Sequence, residues 1–364
     1  MSIFEKRREK TRRLLRKPRL DALLVTAVKN VTYLSGFTGE DSTLLITPQR
    51  EVLLSDERYT MQLADECAGI EHAIRGPGKT MLASVTEVVT QSKIKRLAIE
   101  ADTMTVALHA ALTASLAGAE LVSTSGWVEK LRRIKDPGEI ARTRLACDQA
   151  RRAFEVVRAA LTPNMTELDI AAELEYQARR FGGKCLSFPP IVGVGPRAAL
   201  PHGTPTKRRI CDSDFTLIDW GVNEGLYVSD LTRILVTGKI SPKLRKVYGV
   251  VLKAQLAAIE AIRPGVPCES VDRVARDIIA KAGFGKHFGH GLGHGTGLDI
   301  HEAPRLSRGQ KMPLQAGMIV TVEPGVYLPG WGGVRIEDDI LVTRTGHEVL
   351  SCGVPKLLEE CVVQ

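Results

Sequence analysis

The segment Thr216-Leu217-Ile218-Asp219-Trp220 sets a carboxylate in the middle of an apolar β-run. An ionised acid there loses its hydration and is tolerated only if it is paired, hydrogen-bonded or bound to a cation. The pattern recurs in Met318-Ile-Val-Thr-Val-Glu323 and in Arg335-Ile-Glu337. A fourth acid, Asp230, closes the run Leu226-Tyr-Val-Ser-Asp230, which follows Asp219 across a turn at Asn223-Glu224-Gly225. These two runs read as a hairpin that brings Asp219 and Asp230 to one face. A chain with four such acids needs a compensating charge where they meet.

Histidines supply the rest of a site. Of the eight, five (His202, His287, His290, His294 and His301) lie between residues 200 and 302, and the last four of these share the tract HFGHGLGHGTGLDIHE. Glycines between histidines let backbone approach a site closely. Four strand-borne acids and one histidine make a dinuclear metal set, because two divalent cations neutralise four carboxylates. Oxygen ligands with one imidazole suit Mn²⁺, Co²⁺, Zn²⁺ or Fe²⁺. His72, His109 and His347 lie outside every motif.

The net charge of +8 invites a nucleic-acid reading, but residues 1–20 alone carry +7. The remainder is nearly neutral, so no phosphate-tracking surface is expected. The basic segment lacks the apolar core of a signal peptide and reads as a solvated first helix. Seven cysteines without a C-x-x-C pair argue against a disulfide framework and for a reducing, cytoplasmic setting. The apolar-leaning stretch 106–119 is broken by polar residues, so no membrane span is expected.

At 364 residues the chain has room for two domains. Short β-runs (Asp21–Ala27, Ser42–Thr47, Glu51–Leu54, Arg96–Glu100, Glu120–Ser123) alternate with helical segments (Glu57–Cys67, Lys79–Gln91, Val106–Ala117) in an α/β domain over residues 1–128. It holds no phosphate-binding glycine loop. Residues 129–364 read as an α+β domain, helices flanking a mostly antiparallel sheet. Its first helix starts at Lys135-Asp136-Pro137-Gly138, with Ile140, Leu145, Ala150, Phe154 and Val157 on one stripe. Thr166 with Asp169 caps the next helix, and Lys243–Ile262 and Ser270–Ala282 are two more.

Taken in order, IDWG, VSDLTR, HGLGHGTGLDIHEAP, TVEPGVY and VRIEDD resemble the creatinase/prolidase-type metallopeptidases, the "pita-bread" family that includes Xaa-Pro dipeptidase and aminopeptidase P. In the first third, RLDALLVTAVKNVTYLSGFTGED and LLSDERYTMQLADE resemble that family's N-terminal domain. The resemblance spans essentially the whole chain. It implies an α/β N-terminal domain followed by an α+β pita-bread catalytic domain. It also implies dinuclear-metal-dependent hydrolysis of the Xaa-Pro bond, in dipeptides or at peptide N-termini, most simply with Mn²⁺.

By position, Asp219, Asp230, His294, Glu323 and Glu337 match the family's five metal ligands. Asp230 and Glu337 would bridge two ions, Asp219 would bind one, and His294 with Glu323 the other. Glu323 would also relay a proton to the leaving nitrogen, and His301 would contact the carbonyl oxygen as it turns tetrahedral. His202, His290, His301 and Tyr327 match substrate-side positions, and Arg335 would orient a carboxylate or the substrate. Arg305, four residues after His301 and braced by Pro304, would bind the free carboxylate of a dipeptide, which favours dipeptidase over aminopeptidase. A homodimer is implied by the resemblance alone. Asp338 and Asp339 read as supporting or surface acids.

Three other readings compete. Creatinase is a metal-free amidinohydrolase on the same fold, but it lacks the metal ligands that are all present here. Methionine aminopeptidase usually lacks the first domain. A catalytically silent peptidase-like binding module, or another metal-dependent amidase on this fold, is the remaining alternative.

Overall fold

Short apolar runs build the sheet of the first unit, Met1–Arg132, of a computed structural model that describes residues 1–363. Ala22–Val25 and Thr43–Ile46 are buried along their whole length. They sit inside a six-stranded sheet ordered Glu71–Arg75, Glu51–Asp56, Thr43–Ile46, Ala22–Val25, Arg96–Glu100 and Glu120–Thr124. Ala22–Val25 pairs antiparallel with Thr43–Ile46 and parallel with Arg96–Glu100. Leu24, Leu45, Leu97 and Ile99 pack with Val85, Val88 and Val89 of the helix Met81–Gln91.

Two elements here escape the hydropathy pattern. Glu71–Arg75 is an edge strand with no fully buried residue, so its sequence carries no alternation to find. The helix Val28–Ser35 is rich in β-branched residues, lacks a side-chain N-cap, and is closed by Gly36 at φ 86°.

The basic first helix, Ile3–Arg16, opens on a capping box between Ser2 and Glu5. It is not solvated all round, as the charge run suggested. Arg7 and Arg8 are buried and donate at 2.9 Å to the carbonyls of Tyr33 and Leu34. Those carbonyls end the helix Val28–Ser35, where unpaired acceptors and the negative end of the helix dipole favour a cation. Arg8 also pairs with Glu51 at 2.6 Å.

In the second unit, Arg133–Gln364, the helix Pro137–Ala160 begins with proline in its first turn and an Asp136/Glu139 capping box. Ala150, Phe154 and Val157 are buried, but Leu145 is 43% exposed. It follows Ile140 by five residues, a spacing that leaves the buried face. Thr166 caps Glu167–Arg180 through Asp169. The helices Pro242–Glu260 and Cys268–Lys281 pack on the largest apolar core through Val247, Val251, Val271 and Ala275.

The sheets of this unit are antiparallel. Phe215–Trp220 lies between Ile191–Val194 and Leu231–Val236. A second sheet is ordered Glu302–Leu306, Gly293–Gly295, Ile319–Val322, Asp338–Val342 and His347–Val349. A single bridge, Thr232 to Glu337, links the two sheets. Trp220 anchors its strand to the long helix: its ring stacks on Phe154 at 4.3 Å, and Nε1 donates to the Ala150 carbonyl at 3.0 Å. No described helix is long and apolar enough to cross a membrane.

Candidate metal centre

Asp219 and Asp230 are brought near one another because Phe215–Trp220 pairs with Leu231–Val236. Thr232 stands opposite Asp219 in the ladder, and Asp230 lies just before that strand begins. The chain between them crosses itself so closely that a Cβ on Gly221 would lie 1.8 Å from the Ser229 carbonyl oxygen. Only glycine permits that crossing. His294 is the middle residue of Gly293–Gly295, and a Cβ on Gly293 would lie 2.0 Å from the Thr321 carbonyl oxygen. The missing side chain lets the histidine strand lie against Ile319–Val322. Glu323 follows that strand directly, its N–H donating to the Leu292 carbonyl at 2.8 Å.

Ligand atoms of Asp230, His294 and Glu337 all lie within 4.8 Å of one another, and all three residues are buried. His294 Nε2 is 3.6 Å from Asp230 Oδ2 and 3.4 Å from Glu323 Oε1. Asp219 is held from the other side, where Arg335 Nη2 donates to its Oδ2 at 2.5 Å. Arg335 therefore engages the carboxylate of Asp219. Its Nη1 donates to Tyr327 Oη at 2.8 Å, and His290 Nε2 lies 2.9 Å from the same oxygen.

Electrostatics favour a cation in this cluster. Burial raises the proton affinity of all four carboxylates. Asp219 is held above its usual range, although the Arg335 charge opposes the shift. Asp230 and Glu337 stand well above theirs, through burial first and then through neighbouring acids. Glu323 is pushed up to about 8. Burial also drives the imidazoles toward the neutral, ligating form: His294 falls to about 3 and His290 to about 4. Asp219 Oδ1 is buried and, among the described residues, has no hydrogen-bond partner. Hard oxygen donors, a neutral imidazole and an orphaned carboxylate oxygen fit divalent cations.

The remaining expected residues stand around this cluster at different depths. The exposed His301 packs its ring edge-on to His294 at 4.3 Å. Arg305 stands opposite His294 in the ladder, also exposed, and its charge lowers the proton affinity of His294 and His301. His202 is exposed after the short helix Gly195–Ala199, and its field reaches Asp219. Neither His202 nor Arg305 donates a side-chain hydrogen bond to another described residue. His287 ends a 3-10 turn outside the cluster.

Several supporting residues carry no sequence signal of their own. Thr232 Oγ1 donates to Glu337 Oε2 at 2.6 Å and accepts from Arg335 Nε at 3.0 Å. Thr321 Oγ1 accepts from the His294 N–H at 3.1 Å. Asp338 and Asp339 are buried, not surface acids. Asp339 Oδ2 accepts from the Asp230 N–H at 2.8 Å. Asp338 is held ionised at about 2, against its own burial, by Arg233 and Lys356. Glu302 accepts from Leu298 N–H at 3.0 Å and Asp299 N–H at 3.1 Å, shaping the loop that carries His301.

A buried carboxylate–imidazole cluster on an α+β scaffold, in a chain that begins with an α/β unit, is a candidate centre for divalent cations. Residues 141–344 match metallopeptidase family M24, and residues 7–134 match the creatinase/prolidase N-terminal domain. An uncharacterised peptidase of Bacillus subtilis is 37% identical over 96% of this chain and 99% of its own length. An Xaa-Pro dipeptidase from Bacillus anthracis superposes with a TM-score of 0.93 at 38% identity, covering 98% of this chain and 99% of that one. The prolidase from Pyrococcus horikoshii gives 0.90 at 33%, covering 97% and 99%, and an X-Pro aminopeptidase from Thermotoga maritima gives 0.89 at 34%, covering 96% and 99%. The chain belongs to metallopeptidase family M24: it is a pita-bread metallopeptidase with a creatinase-type N-terminal domain.

Proposed function

We propose that the protein hydrolyses the bond preceding proline in Xaa-Pro dipeptides, with two divalent cations, Mn²⁺ foremost, held by Asp219, Asp230, His294, Glu323 and Glu337. The observation that carries this reading is the convergence of Asp230, His294 and Glu337. The dipeptidase and prolidase named among the similar structures support the substrate class. Cations bound there supply Lewis acidity and a water acidic enough to act near neutral pH.

The chain's own groups do the remaining work. Arg335 and Thr232 fix the rotamers of Asp219 and Glu337, so those carboxylates need no reorganisation. His301, against His294 and open to solvent, donates an N–H to the carbonyl oxygen as negative charge develops on it. Glu323 passes a proton to the departing proline nitrogen. Arg305 binds the free carboxylate of the dipeptide bidentately, a geometry that suits a guanidinium. A homodimer belongs to the same reading, and light scattering that finds only single chains at micromolar concentration would remove it.

The Thermotoga neighbour keeps aminopeptidase activity as the second reading, and Arg305 separates the two. In the dipeptidase reading Arg305→Ala raises KM for Xaa-Pro by tenfold or more, about 1.4 kcal/mol of binding, and leaves KM for the Xaa-Pro amide nearly unchanged. Equal effects on acid and amide, with an Xaa-Pro-Xaa tripeptide cleaved faster than the dipeptide, would put aminopeptidase ahead.

A further inference from the structure

Behind the histidine tract lies a buried ion pair that none of the site chemistry above uses. Asp272 and Arg276 are one turn apart on the helix Cys268–Lys281 and pair through two bonds, Nη2 to Oδ1 at 2.7 Å and Nε to Oδ2 at 2.9 Å. Asp272 is 1% exposed. Three further hydrogen bonds of the pair go to the backbone of residues 288–292. Arg276 donates to the Phe288 carbonyl at 3.1 Å and to the His290 carbonyl at 2.8 Å, and Asp272 Oδ1 accepts from the Leu292 N–H at 3.1 Å. The guanidinium also lies 4.3 Å from the centre of the Phe288 ring, which meets the His290 ring edge-on at 5.1 Å.

From this segment the contacts lead to the site by two short routes. His290 Nε2 is 2.9 Å from Tyr327 Oη, which Arg335 holds, and Arg335 in turn holds Asp219. The Leu292 carbonyl accepts from the Glu323 N–H at 2.8 Å. An ordinary buried salt bridge would satisfy itself or a helix end. This one fixes three backbone groups of an irregular, glycine-rich stretch that has few ladder bonds of its own.

We infer that Asp272 and Arg276 are positioning residues for the peptidase reaction: they set the His290 ring on the substrate side and the Glu323 backbone at the metal side. The inference rests on the Xaa-Pro reading for its kinetics and on the backbone contacts alone for its structure. Misplacing catalytic groups by about 1 Å can cost on the order of 10²-fold in rate, so the pair should matter without touching substrate.

Two variants and two readouts test it. Arg276→Lys keeps a charge pair with Asp272 but loses the forked donation to two carbonyls, and Asp272→Asn removes the charge. In the Mn²⁺-loaded enzyme, Arg276→Lys should lower kcat/KM for Xaa-Pro roughly 10- to 100-fold. Placed on His290→Ala, the same change should cost clearly less than it does alone, because one of its two targets is already gone. Fully additive losses, or normal kcat/KM in Arg276→Lys, would overturn the inference. Amide hydrogen exchange of both variants supplies the second readout: Leu292 and Glu323 should exchange at least about tenfold faster while Leu217 and Ile234 stay protected. Unchanged exchange at Leu292 and Glu323 would overturn it whatever the kinetics. If the wild type fails to cleave Xaa-Pro while this exchange pattern appears, the substrate reading falls and the positioning role stands.

Discussion

In the proposed reaction Glu323 and His301 serve different parts, and their loss separates the parts. Glu323 faces His294 at 3.4 Å and is partly buried, so Glu323→Gln removes a ligand charge and the proton relay together. The expected cost is several orders of magnitude in kcat, with less metal retained. His301 touches His294 only through its ring edge. His301→Ala should keep the metal content and lose about 10²–10³-fold in kcat, the scale of a deleted oxyanion donor. Metal analysis beside kcat checks both, and near-normal turnover in either variant would remove its assigned role.

His290 carries a pH prediction at the same scale. Burial holds its folded pKa at about 4, below the ordinary 6.5. Between these values the unfolded chain binds a proton that the folded chain refuses. The His290 contribution to stability should therefore fall as pH drops from 6.5 toward 4, and the His290 ring resonances should not shift between pH 8 and 6. A midpoint near 6.5 in those resonances would contradict its buried setting. Thr232 gives no signal in the sequence for a physical reason. Its partner, Glu337, is over a hundred positions away, and threonine is common in strands for many other causes.

At the scale of elements, local rules located most helices and misjudged their surroundings. The capping pairs at Asp136 and Thr166 mark helix starts because capping is a contact between residues three apart. The acids in or beside apolar strands announced a cluster because burial there demands a compensating partner or charge, although only Asp219 lies inside a strand and Asp230, Glu323 and Glu337 stand at strand ends. The setting of Arg7 and Arg8 was hidden, since a basic run reads the same in water as against the carbonyls of a distant helix. Gly293 gives this scale its test. The Thr321 carbonyl oxygen lies 2.0 Å from where an alanine methyl would stand, so Gly293→Ala must push the His294 strand off its neighbour. Overpacking of this kind costs about 1–3 kcal/mol, a melting temperature lower by roughly 3–10 °C in a unit of this size. Calorimetry and metal content should fall together, and an unchanged melting temperature would mean that the strand has room the distances deny.

Across the whole molecule, the groups placed in the proposed chemistry belong to the unit Arg133–Gln364, while the unit Met1–Arg132 holds an α/β core of its own. The family was legible because five motifs occur in one order over the chain; the convergence of three of their side chains within 4.8 Å is a tertiary fact that no spacing contains. On the proposed reading, that convergence is where metal acts. The decisive measurement is a Mn²⁺ titration of chelator-stripped protein that follows hydrolysis of Ala-Pro beside Ala-Leu. Turnover of Ala-Pro should be absent without metal, reach its maximum at two ions per chain, and exceed that of Ala-Leu by orders of magnitude. Full turnover in verified metal-free protein, or two bound ions with no preference for the proline substrate, would contradict it.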